Sequence, residues 1–368
     1  MTRQNIFFRV CLITLGLITL AGEVQSCMWF TLRAGDGSTV VGRTMEFGVP
    51  LPWQIVVVPR DMLFKSLAPN GRAGLSWKTK YGFVGYYGAG PEGAVADGMN
   101  EAGLAIGALW YEPYTTYQEV KPGQEPNSLD LTLMGPWILG NFSNVDELRK
   151  EIRNVIIYGS VVKELDMVPP LHVAVTDSSG KTIVLEFEKG NLNIFDSPLG
   201  ILTNAPNFPW QMTNLRQFVG MDNANHKHGV MDSTGLIATG HGAGMFGVPG
   251  DMTPPSRFVR LALTLKSVIR QSNIEKTLNL AQHIVNSFDI SRGLVVEKSK
   301  SGKITSAETT QFASFKDLKN RVMYQKTYDN LDVTKVDLKK LDFKGNKVKY
   351  MPLNLGPQNY QDITSEAR

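Results

Sequence analysis

Cysteine is nearly absent from this 368-residue chain, which carries only Cys11 and Cys27. Two thiols cannot build a disulfide scaffold or a thiolate zinc site. An excess of either charge is also missing. Lys and Arg number 38 against 34 Asp and Glu, a net +4 spread along the chain, which argues against a nucleic-acid surface. Long hydrophobic runs are lacking too. The uncharged stretch at residues 10–22 has 13 residues, short of the roughly 20 that cross a bilayer, and no later segment is apolar for long enough. The 35 glycines follow no triplet period, which excludes a collagen-like chain. What is present is a globular balance, 42% hydrophobic and 20% charged, enough for two average domains or one large layered one.

The first residues read as a leader. A basic start with Arg3 and Arg9 precedes the short apolar stretch, and Val24-Gln25-Ser26 offers modest side chains where a signal peptidase reads. Residues 1–26 are therefore expected to be a removed signal peptide, with residues 27–368 forming one exported domain, secreted or periplasmic. Cleavage after Ser26 makes Cys27 the first residue of the mature chain, and Cys11 leaves with the leader. A lone thiol has no internal disulfide partner. It is either a lipid attachment point, for which Val24–Cys27 is a poor match because of Gln25, or a free nucleophile. The two exclude each other, since lipidation consumes both the sulfur and the α-amine.

Period-2 alternation dominates the start of the mature chain. Residues 28–47 predict two strands around Asp36-Gly37, and residues 171–187 a second hairpin. Further strands are expected at 54–58, 82–86, 94–97 and 104–111. Helical periodicity predicts helices at 145–157, 210–219, 256–269 and 274–288. The Lys-rich last 40 residues still alternate and predict late strands. Strands and helices are mixed throughout, which favours a single α+β domain.

An N-terminal cysteine combines a thiol of pKa about 8.5 with an α-amine of about 7.7–8.0. The amine can accept the thiol proton and later return it to a leaving amine, so no histidine is required. Such a site needs an oxyanion hole and a nearby positive charge. The first hairpin returns a residue about 16 positions after Cys27 to its neighbourhood, and Arg43 lies there.

At this point the chain resembles the choloylglycine hydrolase family of N-terminal nucleophile hydrolases, which contains penicillin V acylases and bile salt hydrolases. The matching elements are Cys27, GDGSTVVGRTMEF, DGMNEAGLAIGALWY, GILTNAPNFPWQMTNLRQF, GDMTPPSRFVR and YQKTYDN. The resemblance implies a four-layer αββα sandwich and hydrolysis of a non-peptide linear amide through an acyl-thioester, with no metal or organic cofactor. It makes Cys27 nucleophile and, through its amine, general base, with Arg43 beside the sulfur. Glu46 stands where most of the family has an aspartate on the nucleophile's amine, so its longer stem must be re-aimed. Asn204 matches the side-chain oxyanion donor, Trp110 the backbone donor, and Arg257 a supporting arginine. Relatives are commonly homotetramers, so a homo-oligomer is expected.

Other readings stay open. Aromatic residues around the expected pocket favour a flat acyl group, as in penicillin V. N-acyl homoserine lactones and conjugated bile salts are the alternatives, and Glu46 leaves room for an inactive, lipid-anchored binding protein. The glycines of residues 240–247 lack the strand and helix of a phosphate loop. His226 and His228 are expected in an exposed loop rather than at a metal.

Overall fold

The structure, a computed structural model, describes residues 26–226, 228–353 and 355–366. Apart from Ser26, the expected leader lies outside these residues. In chain order the two main sheets comprise β1 (Met28–Arg33), β2 (Thr39–Phe47), β3 (Gln54–Val58), β4 (Phe83–Tyr87), β5 (Asp97–Asn100) and β6 (Ala105–Trp110). They continue with β7 (Leu171–Thr176), β8 (Thr182–Glu188), β9 (Asn191–Asp196), β10 (Thr309–Asp317), β11 (Val322–Thr327), β12 (Thr334–Asp337) and β13 (Lys349–Pro352). A five-stranded sheet runs β1-β2-β10-β11-β12, and an eight-stranded sheet runs β9-β8-β7-β6-β5-β4-β3-β13. Every one of these pairings is antiparallel.

The first hairpin turns at Asp36-Gly37 as its sequence predicts. Gly37 takes a φ of 79°, a conformation that favours glycine, and the Ser38 amide donates to Asp36 Oδ1 at 2.9 Å. All nine residues of β2 are buried, so this strand is covered on both faces. One face meets the other sheet. The opposite face lies under α4 (Pro254–Ser267), against which α3 (Phe208–Asn214) packs, and α5 (Ile274–Asn286); Phe258, Leu261, Ile284 and Val285 of α4 and α5 join the core of the first sheet. The outer face of the second sheet packs on α1 (Met134–Asn141) and α2 (Val145–Glu151) through Trp137, Ile138, Leu139 and Leu148. Each such side chain contributes about 1.5–3 kcal/mol of burial. The result is the αββα sandwich.

The two inner faces meet in register. In the first sheet, Trp29, Arg43 and Ser314 form one cross-strand row. In the second, Tyr86, Asp97 and Gly107 form another. Gly107 is glycine because a Cβ there would lie 2.5 Å from the Trp29 ring and 3.3 Å from Arg43 Nε. That close approach brings a guanidinium between two sheets.

Two expected elements are placed differently, and one helix was not expected. The helix expected over residues 145–157 ends at Glu151, and a short strand follows at Ile156–Tyr158. The strand expected at residues 94–97 runs instead over β5; Ala94, Val95 and Ala96 line a cavity, so their apolar character serves that space rather than a sheet face. Helix α1 was not legible, because seven of its eight residues, Met134 to Gly140, are buried and no polar face marks a 3.6-residue period.

Candidate active site

Cys27 sits immediately before β1 and is 2% exposed. Its Sγ is 3.6 Å from the Glu46 carbonyl and 4.0 Å from Met45 Sδ. Burial pushes the thiol up to about 11; Arg43 pulls hardest the other way, and Arg257 pulls more weakly. The sulfur therefore depends on neighbouring cations for any thiolate it forms.

Arg43, on β2, is fully buried. Its Nη2 donates to the Ala108 carbonyl at 2.5 Å and to Met45 Sδ at 3.7 Å. Its Nε lies 3.2 Å from Asp97 Oδ2, an ion pair without the alignment of a hydrogen bond. Asp97 Oδ1 in turn lies 2.6 Å from Lys316 Nζ, and all three side chains are 0% exposed.

Glu46 is equally buried. Its two oxygens accept from Thr310 Oγ1 at 2.7 Å and Thr44 Oγ1 at 2.9 Å. Burial pushes this carboxyl up to about 8 against the pull of Arg257 and the two threonines. Glu46 thus stands beside Cys27, as its place in the sequence implies, but both oxygens are committed to threonines.

Arg257, in the first turn of α4, organises the other side. Two prolines at the helix start spare amide donors that would have no partner there. Its Nη1 donates to the carbonyls of Ser26 (2.6 Å) and Cys27 (2.8 Å), and its Nε to the Met252 carbonyl at 3.0 Å. Its Nη2 donates to Asn204 Oδ1 at 2.8 Å. That contact fixes which end of the Asn204 amide is nitrogen, and Nδ2 donates to the Trp110 carbonyl at 2.9 Å. An amide nitrogen carries two hydrogens, and the second has no partner among the described residues. Tyr111, the next residue, donates to the Pro170 carbonyl across the β6–β7 boundary. By strand alternation the N–H and C=O of Trp110 point away from β7, the side on which Asn204 reaches its carbonyl.

All six residues expected from the sequence, Cys27, Arg43, Glu46, Trp110, Asn204 and Arg257, converge on one end of the sandwich. Sequence reasoning missed Asp97, Thr310 and Lys316. Asp97 opens a matched motif, DGMNEAGLAIGALWY, and was legible to that extent. Lys316 and Thr310 lie in an alternating strand, and nothing in their spacing sets them apart.

Cys27 lines an apolar cavity of about 920 Å³ of empty space, its mouth included. Met45, Phe47, Trp53, Trp110, Met134 and Ile138 supply much of the wall. Among the described lining residues Thr132 carries the one side-chain hydroxyl, and it donates to Asp130 Oδ1 at 2.7 Å.

Comparison with known proteins agrees with this arrangement. The profile of the linear amide C-N hydrolases, choloylglycine hydrolase family, matches residues 27–351. The chain is 32% identical over 340 residues to the bile salt hydrolase/transferase of Clostridium perfringens, covering 89% of this chain and 97% of that one. It is 24% identical over 377 residues to the penicillin V acylase of Pectobacterium atrosepticum, covering 97% and 93%. Among solved structures, a variant of the conjugated bile acid hydrolase from Clostridium perfringens superposes with a TM-score of 0.79 at 28% identity, over 92% of this chain and 100% of that chain. The penicillin V acylase from Agrobacterium tumefaciens shares the fold, with a TM-score of 0.71 at 22% identity over 89% and 92% of the two chains. A buried cysteine ringed by two arginines and an asparagine, on a sandwich whose sequence matches from Cys27 onward, places the chain in the choloylglycine hydrolase family as a linear amide C-N hydrolase.

Proposed function

We propose that the mature protein begins at Cys27 and hydrolyses amides of flat or linear apolar acids, with penicillin V as the representative substrate. The observation that carries this reading is the meeting of the Cys27 sulfur with a cavity whose described lining residues offer no free side-chain hydroxyl, amide or charge. A hydroxylated steroid acid would bury hydroxyls there without partners, at about 1–3 kcal/mol each. An aryloxy or alkyl chain would not. Bile salts are for that reason less favoured, and acyl homoserine lactones compete with penicillin V on acyl length.

In the proposed reaction the thiol proton passes to the Cys27 α-amine, and the thiolate attacks the amide carbon. Asn204 Nδ2 and the Trp110 N–H receive the oxyanion, while Arg43 supports the thiolate. The C–N bond breaks as the ammonium of Cys27 returns its proton to the leaving amine, leaving an acyl-thioester. Water, giving its proton to the same α-amine, attacks that ester and releases the acid and the thiol. Removal of Ser26 is required, since its carbonyl bonds Arg257 and its acyl group occupies the Cys27 nitrogen. Lipidation would consume both the sulfur and the α-amine that this reaction uses, so the proposed activity and a lipid anchor on Cys27 exclude each other.

The same reading includes export to the periplasm or medium and assembly into a homo-oligomer, a tetramer by family resemblance. Exposed Val230, Met231, Ile237 and Phe246 support self-association. The deciding experiment pairs intact mass of the secreted protein with hydrolysis of penicillin V, glycocholate, taurocholate and a long-chain acyl homoserine lactone. A chain starting at an unmodified Cys27, active on penicillin V and inactive as Cys27→Ala, is expected. Retained turnover in Cys27→Ala would sink the reading.

A further inference from the structure

The Arg43–Asp97 pair poses a problem of charge. An arginine that shares a buried carboxylate forms a neutral pair, and a neutral pair does little to hold an anion nearby. Here the carboxylate is shared a second time. Asp97 Oδ2 faces Arg43 Nε at 3.2 Å, and Oδ1 faces Lys316 Nζ at 2.6 Å, with none of the three side chains exposed.

We infer that Lys316 is a positioning residue for the reaction. By taking up the charge of Asp97, it leaves the Arg43–Asp97–Lys316 cluster with one net positive charge beside Cys27. The inference rests on the reading of Cys27 as nucleophile.

The path from Lys316 to the sulfur is continuous. Arg43 Nη2 lies 3.7 Å from Met45 Sδ, which lies 4.0 Å from Cys27 Sγ. Lys316 is held in place by two neighbours besides its partner's charge, Ser314 and Trp29. Its Nζ donates to Ser314 Oγ at 2.9 Å and stands 5.1 Å from the centre of the Trp29 ring, while Ser314 Oγ reaches Asp97 Oδ2 at 3.4 Å. The titratable and charged groups around the cluster are Asp97 on β5, Arg43 on β2 and Tyr86 on β4. Those facing the sulfur are Arg43 and Glu46 on β2 and Arg257 on α4. Burial pulls Lys316 down to about 8 against the opposing pull of Asp97, and the carboxylate oxygen 2.6 Å away favours the charged ammonium. A lysine placed only for packing would not need a buried carboxylate that an arginine already neutralises.

The test is a charge series read on the thiol itself, as the rate of Cys27 alkylation by iodoacetamide against pH in the mature protein. Counting the three side chains, wild type carries +1, Lys316→Met 0, Asp97→Asn +2, and the double variant +1. Lys316→Met is expected to raise the apparent thiol pKa by about one unit, a roughly tenfold slower reaction at neutral pH. Asp97→Asn is expected to lower it, and the double variant to return it to the wild-type value. A structural role alone would make the double variant worse than either single change. Wild-type titration in Lys316→Met, or a double variant that stays with Lys316→Met, overturns the inference. Should Lys316→Met fail to fold, an unshifted titration in Asp97→Asn overturns it equally. Hydrolysis by Cys27→Ala is measured alongside: turnover there defeats the nucleophile reading, whereas a dead Cys27→Ala with an unresponsive charge series defeats Lys316 alone.

Discussion

Arg257 grips the Asn204 side chain by its oxygen, Nη2 to Oδ1 at 2.8 Å, and so turns the amide nitrogen toward the Trp110 carbonyl 2.9 Å away. The orientation of the proposed oxyanion donor is thus decided by a residue on a different layer of the fold. The same guanidinium reaches the Ser26 and Cys27 carbonyls, so one side chain ties the donor to the nucleophile.

Removing the donor should act on kcat. Asn204→Ala is expected to lose about 10²–10³ in kcat, the usual cost of one oxyanion contact, with iodoacetamide reactivity of Cys27 unchanged. Arg257→Lys should lose a similar factor, because an ammonium cannot span the Cys27, Met252 and Asn204 acceptors in the planar geometry of a guanidinium. Steady-state kinetics on penicillin V check both, and a loss under tenfold in Asn204→Ala would move the oxyanion hole elsewhere.

Glu46 should leave its mark on stability rather than on a proton-transfer step. Its folded pKa is about 8 against an ordinary 4.5. Between those values the folded state binds more protons than the unfolded one, so stability falls as pH rises through the window. The slope for one group is at most about 1.4 kcal/mol per pH unit. Glu46→Gln should flatten the fall between about pH 4.5 and 8 and be the more stable protein at the upper end. Urea unfolding across that range reads it directly; parallel curves for the two proteins would mean that Glu46 is already ionised in the native state.

How much of this was visible beforehand depends on what kind of order each residue obeys. The hairpin of β1 and β2 was legible because Asp36-Gly37 sits between alternating segments, and the hairpin fixes the distance from Cys27 to Arg43. Asn204 and Arg257 were legible only through their motifs, since neither local period nor spacing brings residue 204 to residue 257. Lys316 was not legible at all. Its partner lies on the other sheet, 219 positions away by their numbers, and sheet stacking is a tertiary fact that strand periodicity does not carry. Helix α1 failed for the opposite reason, being apolar on every side.

The acyl wall can be probed without touching the sulfur. Trp53 stands edge-on to Phe312 at 5.1 Å, donates from Nε1 to Gln311 Oε1 at 2.7 Å, and lines the cavity. Trp53→Ala removes aryl contact while leaving Cys27, Arg43 and Asn204 in place. KM for penicillin V should rise about tenfold, the equivalent of one well-packed aromatic contact of about 1.4 kcal/mol, with kcat falling far less. An unchanged KM would place the acyl group against a different wall.

Gly107 supplies the most direct test of the sheet-to-sheet contact. Its missing Cβ is the space in which Trp29 and Arg43 pass β6, and an added methyl would stand 2.5 Å from the indole. The indole is fully buried and cannot swing into solvent, so the sheets must separate or Arg43 must shift from Asp97. Gly107→Ala is expected to lower stability by about 1–3 kcal/mol, the usual cost of overpacking, and to slow Cys27 alkylation at neutral pH as well. Gly220→Ala, with nothing within 4 Å of the new methyl, is the control that should change neither. If Gly107→Ala lost stability but kept the wild-type thiol titration, the guanidinium would have to hold its place by β2 alone, and the second sheet would contribute packing without electrostatics.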